Sequence, residues 1–319
     1  MFRALVLALA CSVGADAWAQ PYPSKPVRIF VTIGPGAAAD VLTRMVGEKL
    51  APRLATPIVI ENRAGAGGNI AADTVAKSAP DGYTLLMASS STHGANVSVY
   101  PKLPFDPVKD FAPIVLVATN PNVLVVPPSL GVNSLAELLV LAKRKPGELT
   151  YASGGTGTSM HISGEVLAML GGIKLQHIPF KSTPEAINAA LAGEVSMTFA
   201  SAPTAMSQVK AGKLKALGLT SERPLPSLPE VQPLAAQGLA GFDVSAWFGL
   251  AAPAGTPEAI INRLNSETLA VLAMPDVREK FAALGMEPLG STPAEFGAFI
   301  RSEIQRLGAV VRASGARVN

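Results

Sequence analysis

Two glycine-rich turns, each between a predicted strand and a predicted helix, have the residue types best suited to ligand chemistry. The first reads Gly34-Pro35-Gly36-Ala37-Ala38-Ala39-Asp40, and the second reads Gly154-Gly155-Thr156-Gly157-Thr158-Ser159. Small side chains let a ligand approach the backbone, and a helix N-terminus offers unpaired N–H groups and a positive dipole to an anion. Two such turns can face each other at the carboxyl ends of the strands, which predicts a cleft that binds a small anion.

The first turn also imitates a dinucleotide-binding fingerprint. Gly34-x-Gly36-x-x-Ala39 follows a predicted strand, and Glu61 closes the next strand 22 residues beyond Ala39. Against this interpretation, Pro35 is an unusual residue between two such glycines, and neither turn ends in the Gly-Lys-Ser/Thr of a phosphate-binding loop. A dinucleotide-binding oxidoreductase therefore remains the alternative function.

The histidines and serines form no recognisable catalytic pattern. His93, His161 and His177 lack a metal-ligand spacing such as His-Glu-x-x-His, so we expect neither a metal nor a cofactor. His161 lies one turn into the second predicted helix, where a structural role, orienting a loop or reaching solvent, is favoured over catalysis. The serines near the turns lack the nucleophile-elbow pattern and are expected to donate hydrogen bonds or cap helices. We therefore expect no catalytic residue.

Residues 1–19 have the pattern of a secretory signal. Arg3 supplies a positive charge, an apolar stretch runs from residue 4 to about residue 13, and Ala17-Trp18-Ala19 predicts cleavage before Gln20. The stretch is about half of the roughly 20 residues that a spanning helix needs. A lipoprotein attached through Cys11 is the weaker alternative. We expect a soluble periplasmic protein whose mature chain has no thiol, because Cys11 lies within the signal.

The composition suits two ordinary domains. The chain has 319 residues, 49% of them apolar and 15% charged, which is enough to build a core in each of two domains. The formal charge of +3 is too small and too scattered for a nucleic-acid surface. We therefore expect no nucleic-acid partner.

Apolar runs alternate with helical stretches, and this rhythm predicts the elements that position the two turns. Predicted strands cover residues 27–33, 58–61, 84–88, 123–126, 149–153, 175–179, 195–201 and 216–220, with helices between most of them. The pattern predicts an α/β fold with two lobes, each a mostly parallel sheet flanked by helices. The tail after residue 257 is predicted to form helices that pack on the first lobe.

Two segments are predicted to carry the chain between the lobes. Asn120-Pro121-Asn122 precedes a strand, and residues 220–229 contain three prolines. The predicted organisation is therefore a signal at 1–19, a first lobe at 20–121 and 222–319, and a second lobe at 122–221.

Seven segments, including the two turns, together resemble the sequence motifs of one family. They are residues 34–40, 59–69, 80–86, 103–111, 151–161, 247–250 and 252–257. The chain from about Tyr22 to its C-terminus resembles the tripartite tricarboxylate transporter substrate-binding family, also called Bug receptors. The resemblance implies a type II-like periplasmic binding protein that holds a ligand carboxylate with backbone amides of both turns and ordered water.

The resemblance also implies which positions bind the ligand. They are Ile33, Gly36, Ala37, Ala38, Ala39 and Asp40 in the first turn, Ser153, Thr156, Gly157 and Thr158 in the second, and Ser89, Ser90, His93 and Ser201 in two further loops. The family usually has an aromatic residue at the position of Ile33 and a second glycine at that of Ala37. Residues 65–69 also resemble an anion-binding loop, but we assign them to structure, as a turn into the next helix.

The expected function is a receptor for a small carboxylate that acts as a monomer and does no chemistry. It would deliver its ligand to membrane permease subunits of a tripartite tricarboxylate transporter or to a sensor. Closure of the lobes excludes water and strengthens each hydrogen bond. A scaffold that has lost its ligand is a third alternative, beside the oxidoreductase.

Overall fold

The computed structural model describes residues 22–225 and 227–314, so the signal predicted at residues 1–19 lies outside them. The first part of the chain forms β1 (Val27–Val31), α1 (Ala38–Leu54), β2 (Ile58–Asn62), α2 (Asn69–Ala76), β3 (Thr84–Ser89), α3 (Asn96–Val99) and β4 (Phe111–Val126). The middle forms α4 (Leu135–Arg144), β5 (Thr150–Ser153), α5 (Ser159–Gly171), β6 (Gln176–Pro179), α6 (Thr183–Leu191), β7 (Met197–Ser201), α7 (Ala202–Lys210) and β8 (Lys215–Leu219). The last part forms β9 (Ser245–Pro253), α8 (Glu258–Leu272), α9 (Pro275–Ala283), β10 (Glu287–Pro288) and α10 (Pro293–Ser314).

The strands lie in the order β2-β1-β3-β9-β4-β7-β5-β6, with β8 and β10 also pairing with β4. Strands β1, β2 and β3 are parallel in the first lobe, and β5, β6 and β7 are parallel in the second. The two long strands β4 and β9 are antiparallel to their neighbours. The α/β two-lobed fold is therefore as predicted, but each sheet is mixed where a crossing strand enters it.

Strand β4 connects the lobes directly. Its residues 111–121 pair with β9 in the first lobe, and residues 122–125 pair with β7 in the second. The sequence predicted only residues 123–126 as a strand, because Pro113 and Pro121 interrupt the apolar run. Asn120 and Asn122 lie where the strand passes from one lobe to the other.

Successive side chains of the first-lobe strands point to opposite faces of the sheet, and helices cover both faces. Ile29 and Leu85 pack with Leu42 of α1, whereas Phe30 and Leu86 pack on the opposite face with residues of α2. This two-sided burial explains why the strands are continuous apolar runs.

The segment after β8 packs with the second lobe. Leu225, Leu234 and Phe242 join the same buried cluster as the second-lobe strands, and the Val244 N–H donates to the Thr220 carbonyl at 2.9 Å. We therefore propose that the chain returns to the first lobe at the start of β9, and not at residue 222 as the proline-rich segment predicted. The apolar side chains between the prolines decide where the segment packs.

The C-terminal helix α10 packs on the first lobe, where the sequence placed it, and it also contacts the second lobe. Phe296 packs on Trp247 in the first lobe, and Leu307 and Val311 join the buried cluster of the second. The Trp247 Nε1–H donates to Glu303 Oε2 at 2.9 Å. Across residues 22–225 and 227–314, no helix is long and apolar enough to cross a membrane.

Candidate functional site

A cavity of about 690 Å³ lies between the lobes, at the carboxyl ends of β1, β3, β5 and β7. Both predicted turns line it, together with the loops that follow β3 and β7. The predicted site residues that line the cavity are Ile33, Gly36, Ala37, Ala38, Ala39, Ser89, Ser90, Thr156, Thr158 and Ser201. Their assignment as ligand-binding residues remains a prediction, but the fold brings them to one place.

The first turn presents the N-terminus of α1 to the cavity. Its N-cap residue Ala37 has an extended backbone and makes no side-chain cap, and Ala38 and Ala39 are the first two helical residues. Their N–H groups have no hydrogen-bond partner among the described residues. Gly36 turns the chain into the helix at a φ of +80°, a conformation that other residues adopt with strain. Two free amides and the positive helix end therefore face the cavity.

Asp40 lies behind this turn and does not line the cavity. Its Oδ2 accepts the Gly36 N–H at 2.9 Å, and its Oδ1 accepts from Arg44 Nε at 2.9 Å. Burial acts to raise the pKa of Asp40, but the hydrogen bonds from Arg44 and Gly36 outweigh it and hold the pKa below its ordinary value. Asp40 is therefore ionised and fixes the shape of the turn.

The second turn presents the N-terminus of α5 from the opposite lobe. The N-cap residue Thr158 has an extended backbone, and its Oγ1 accepts the His161 N–H and donates to the Gly155 carbonyl. Ser159 and Met160 follow it, line the cavity, and have N–H groups with no partner among the residues described. The second lobe thus repeats the arrangement of the first.

Two stacked histidines support the second turn from behind. His161 Nδ1 accepts the Gly157 N–H at 3.1 Å, and His177 Nε2 is hydrogen-bonded to Ser153 Oγ at 2.6 Å. The two rings stack with centroids 4.1 Å apart, and Tyr151 stacks on His177 at 4.9 Å. Burial lowers the pKa of His161 to about 3 and that of His177 to about 4. Both rings are therefore neutral at ordinary pH, and His161 orients the loop, one of the two structural roles expected from sequence.

The hydroxyl of Tyr151 ties the same cluster to α5. It donates to Glu165 Oε1 at 2.5 Å, and burial raises the pKa of the Glu165 carboxyl. Ser153 and Gly157 belong to this supporting layer and, although predicted as ligand-binding residues, do not line the cavity.

His93 is the fourth predicted site residue that the fold places away from the cavity. Its side chain is fully buried, with Phe111 edge-on at 4.6 Å and Phe105 stacked at 6.4 Å. Burial lowers its pKa to about 3. His93 therefore packs under the loop whose residues Ser89 and Ser90 reach the cavity.

The cavity has walls that the sequence reasoning missed. Residues 64–68 line it, although residues 65–69 were assigned to structure, and so do Asn120 and Asn122 of the crossing strand. Phe180, Lys181 and Ile187 form another wall, for which the sequence offered no recognisable signal. These residues come from loops and strands whose meeting depends on the register of the whole sheet.

The charge of the cavity suits an anion. Among the described lining residues Lys181 is the one charged side chain, and no carboxylate faces the cavity. The structure has no group of three or more His, Cys, Asp or Glu side chains able to hold a metal ion within its described ranges. The site therefore offers a ligand backbone amides, hydroxyls, side-chain amides of asparagine and the Lys181 ammonium.

Comparisons with known proteins agree with this geometry. A family model described as "Tripartite tricarboxylate transporter family receptor" matches residues 42–316. BugT of Bordetella pertussis is 36% identical over 307 residues, which cover 96% of this chain and 94% of that protein.

Two solved structures of similar proteins carry acids. A structure of an R. palustris protein with adipate has a TM-score of 0.89 and 32% identity, and the match covers 93% of this chain and 100% of that one. MatC of Rhodopseudomonas palustris with bound malate has a TM-score of 0.86 and 33% identity, with 91% and 100% covered.

Proposed function

The chain belongs to the tripartite tricarboxylate transporter receptor family, and we propose that it captures a small carboxylate between its two lobes for delivery to a transporter or a sensor. The family membership is the one that the sequence motifs indicated. Membership in a receptor family places the chain among solute-binding proteins. The capture mechanism, the ligand and the delivery partner are the parts that we propose.

The observation that carries the proposal is the pair of opposed helix N-termini. Ala38 and Ala39 on one lobe, and Ser159 and Met160 on the other, offer N–H groups without partners among the described residues. A carboxylate placed between them accepts charge-assisted hydrogen bonds from both lobes and benefits from both helix dipoles. Because the bonds come from both lobes, binding favours the closed arrangement.

The size and lining of the cavity extend the proposal to the body of the ligand. A volume of about 690 Å³ with Ile33, Phe180 and Ile187 in its walls accommodates an apolar body attached to the carboxylate. The adipate and malate found in the two similar structures support a carboxylate as the ligand class. We therefore propose that the chain binds an organic acid.

The dinucleotide alternative is disfavoured by the position of Glu61. That carboxylate, which would have to face a ribose, instead accepts from Arg63 at 2.9 Å and lies outside the cavity lining.

We propose that the protein is a receptor without catalytic activity, exported by the signal at residues 1–19. We also propose that it acts as a monomer with permease subunits as its partners.

A screen of organic acids tests the proposed function. We expect a carboxylic acid to raise the melting temperature of the mature chain and to bind with a dissociation constant near the micromolar scale, or about −8 kcal/mol. Calorimetry on the best acid gives the affinity, and NADH added in its place should produce no heat and no fluorescence change. Binding of NADH with no acid binding would support the oxidoreductase instead.

A further inference from the structure

Asn120 lines the cavity from the part of β4 that passes between the lobes. The residue is 2% exposed, lines the cavity, and its side-chain Oδ1 has no hydrogen-bond partner among the described residues. A buried amide oxygen without a partner lowers the stability of a fold, so such a group calls for a partner from outside the protein, a water or a ligand. The side chain offers one acceptor and one donor to whatever enters the cavity.

Asn122, two residues further along β4, shows which part of the molecule the Asn120 side of the strand lies against. Side chains two residues apart lie on the same face of a strand, about 7 Å apart. Asn122 therefore shares the face of Asn120, and its Nδ2 donates to the Ser159 side chain, at the start of α5, at 3.1 Å. Asn120 lies one step closer to the first lobe. It is thus placed between the two helix N-termini that the carboxylate is proposed to bridge.

The residue opposite Asn120 on the neighbouring strand has no group that can pair with the Asn120 side-chain amide. Ala246 of β9 is paired with Asn120, also lines the cavity, and has only a methyl side chain. Ala246 therefore offers the unpaired side-chain amide of Asn120 no partner, and a ligand bound in the cavity that both residues line can supply one.

We propose that Asn120 is a specificity-determining residue that recognises a hydrogen-bond donor, a hydroxyl or an amino group, carried by the ligand beside its carboxylate. This inference rests on the proposed function, because it assumes that an acid binds in the cavity. An acid with the donor satisfies the Asn120 Oδ1, whereas the same acid without it leaves that oxygen buried and unpaired. Sites built to pair with a donor discriminate strongly against analogues that lack it.

Matched acids on the full mature chain test the inference. We use three series that differ only at the carbon beside the carboxylate: lactate, alanine and propionate; malate, aspartate and succinate; 3-phenyllactate, phenylalanine and 3-phenylpropionate. In the series that fits the cavity, calorimetry should give at least a tenfold higher affinity for a member with the donor. The hydroxy and amino members show which donor is preferred.

Variants of Asn120 separate recognition from a merely structural role. Asn120→Leu keeps the size of the side chain and removes its polarity, so the discrimination should fall to less than threefold. The melting temperature of the ligand-free variant should stay the same or rise, because an unpaired buried polar group is gone. Asn120→Ala, a smaller change, should lose the discrimination too. Asn133→Ala, an exposed asparagine outside the cavity lining, should keep it.

Four outcomes would overturn the inference. Equal affinities within every series that binds would contradict it while leaving the carboxylate receptor intact. Discrimination that persists in both Asn120 variants would also contradict it, as would lowered melting temperatures combined with unchanged discrimination, which indicate a packing role. If none of the acids binds, the proposed function itself fails and the inference fails with it.

Discussion

At the scale of single residues, the second turn depends on a glycine that lies behind the cavity. Gly157 has a φ of +84°, and a Cβ at this position would clash with Asn96 Oδ1 of the first lobe. The sequence predicted Gly157 as a ligand-binding residue. In the structure, the absence of a side chain at Gly157 lets the second turn lie close to Asn96 of the first lobe.

Gly157→Ala should therefore weaken binding of the best acid at least tenfold, because the added methyl group strains the backbone and pushes the turn away from Asn96. Gly172→Ala is the matched control. Gly172 also has a positive φ, +60°, but a Cβ there has nothing within 4 Å. Calorimetry with circular dichroism as a folding check compares the two. Equal losses in both variants would show that backbone strain alone, and not the contact with the first lobe, governs binding.

Three histidines, of which His93 and His161 are buried and His177 is half-buried, make the stability of the fold depend on pH. The pKa of His177 is lowered to about 4 by burial, and those of His93 and His161 to about 3, whereas histidine in an unfolded chain titrates near 6.5. Between these values the unfolded chain binds more protons than the folded one. The free energy of unfolding should therefore fall as pH decreases from about 6.5 to about 4. Glu165, whose pKa is raised by burial, acts in the opposite direction.

His177→Gln isolates the contribution of one histidine to the pH dependence of the unfolding free energy. Glutamine can keep an amide near the position of Nε2, beside Ser153, but does not titrate. The slope of the unfolding free energy against pH, measured by urea denaturation between pH 6 and 4.5, should decrease by up to about 1.4 kcal/mol per pH unit, the value for one proton. A slope identical to that of the wild type would mean that folding does not lower the pKa of His177.

At the scale of elements, the N-termini of α1 and α5 carry the proposed capture of the carboxylate. Both N-cap residues, Ala37 and Thr158, have extended backbones with ψ near 160°. A proline is tolerated after such a residue, at the first position of a helix, where it removes the N–H without breaking the helix.

Ala38→Pro and Ser159→Pro should each lower the affinity for the acid about 10- to 100-fold, the loss expected for a hydrogen bond to a charged group. Glu258→Pro is the control, since Glu258 begins α8 after Pro257, whose ψ is 136°, and is exposed and lies outside the cavity lining. Calorimetry gives the affinities. If Ser159→Pro binds as well as Glu258→Pro, the α5 N-terminus does not hold the carboxylate.

The elements that the sequence predicted well are those with local signals. Strand β1, the turn at Gly36 and helix α1 follow from an apolar run, a glycine and a run of helix-forming residues, and the same holds for β5 and α5. Strand β9 was recognised only as a family motif, because its place between β3 and β4 depends on pairing across more than a hundred residues. Local patterns do not encode that pairing.

At the scale of the whole molecule, the cavity residues with a local sequence signature were predicted, whereas those that depend on long-range packing were not. Ala38 and Thr158 were predicted because each lies in a turn with its own sequence signature. Asn120 and Phe180 were missed as lining residues because they reach the cavity only when β4 joins the lobes and the loop after β6 folds over it. His93 and Asp40 were predicted in the cavity, but their burial against Phe111 and Arg44 depends on packing that position in a motif does not reveal.

The central claim is that one carboxylate is held by amides of both lobes at once. Its most direct test is a nuclear magnetic resonance titration of the ¹⁵N-labelled mature chain with the best acid from the screen. The amide signals of Ala38, Ala39, Ser159 and Met160 should all move downfield, and all with the same dissociation constant. Shifts confined to the amides of one lobe, or absent from all of these residues while calorimetry reports binding, would contradict capture between the lobes.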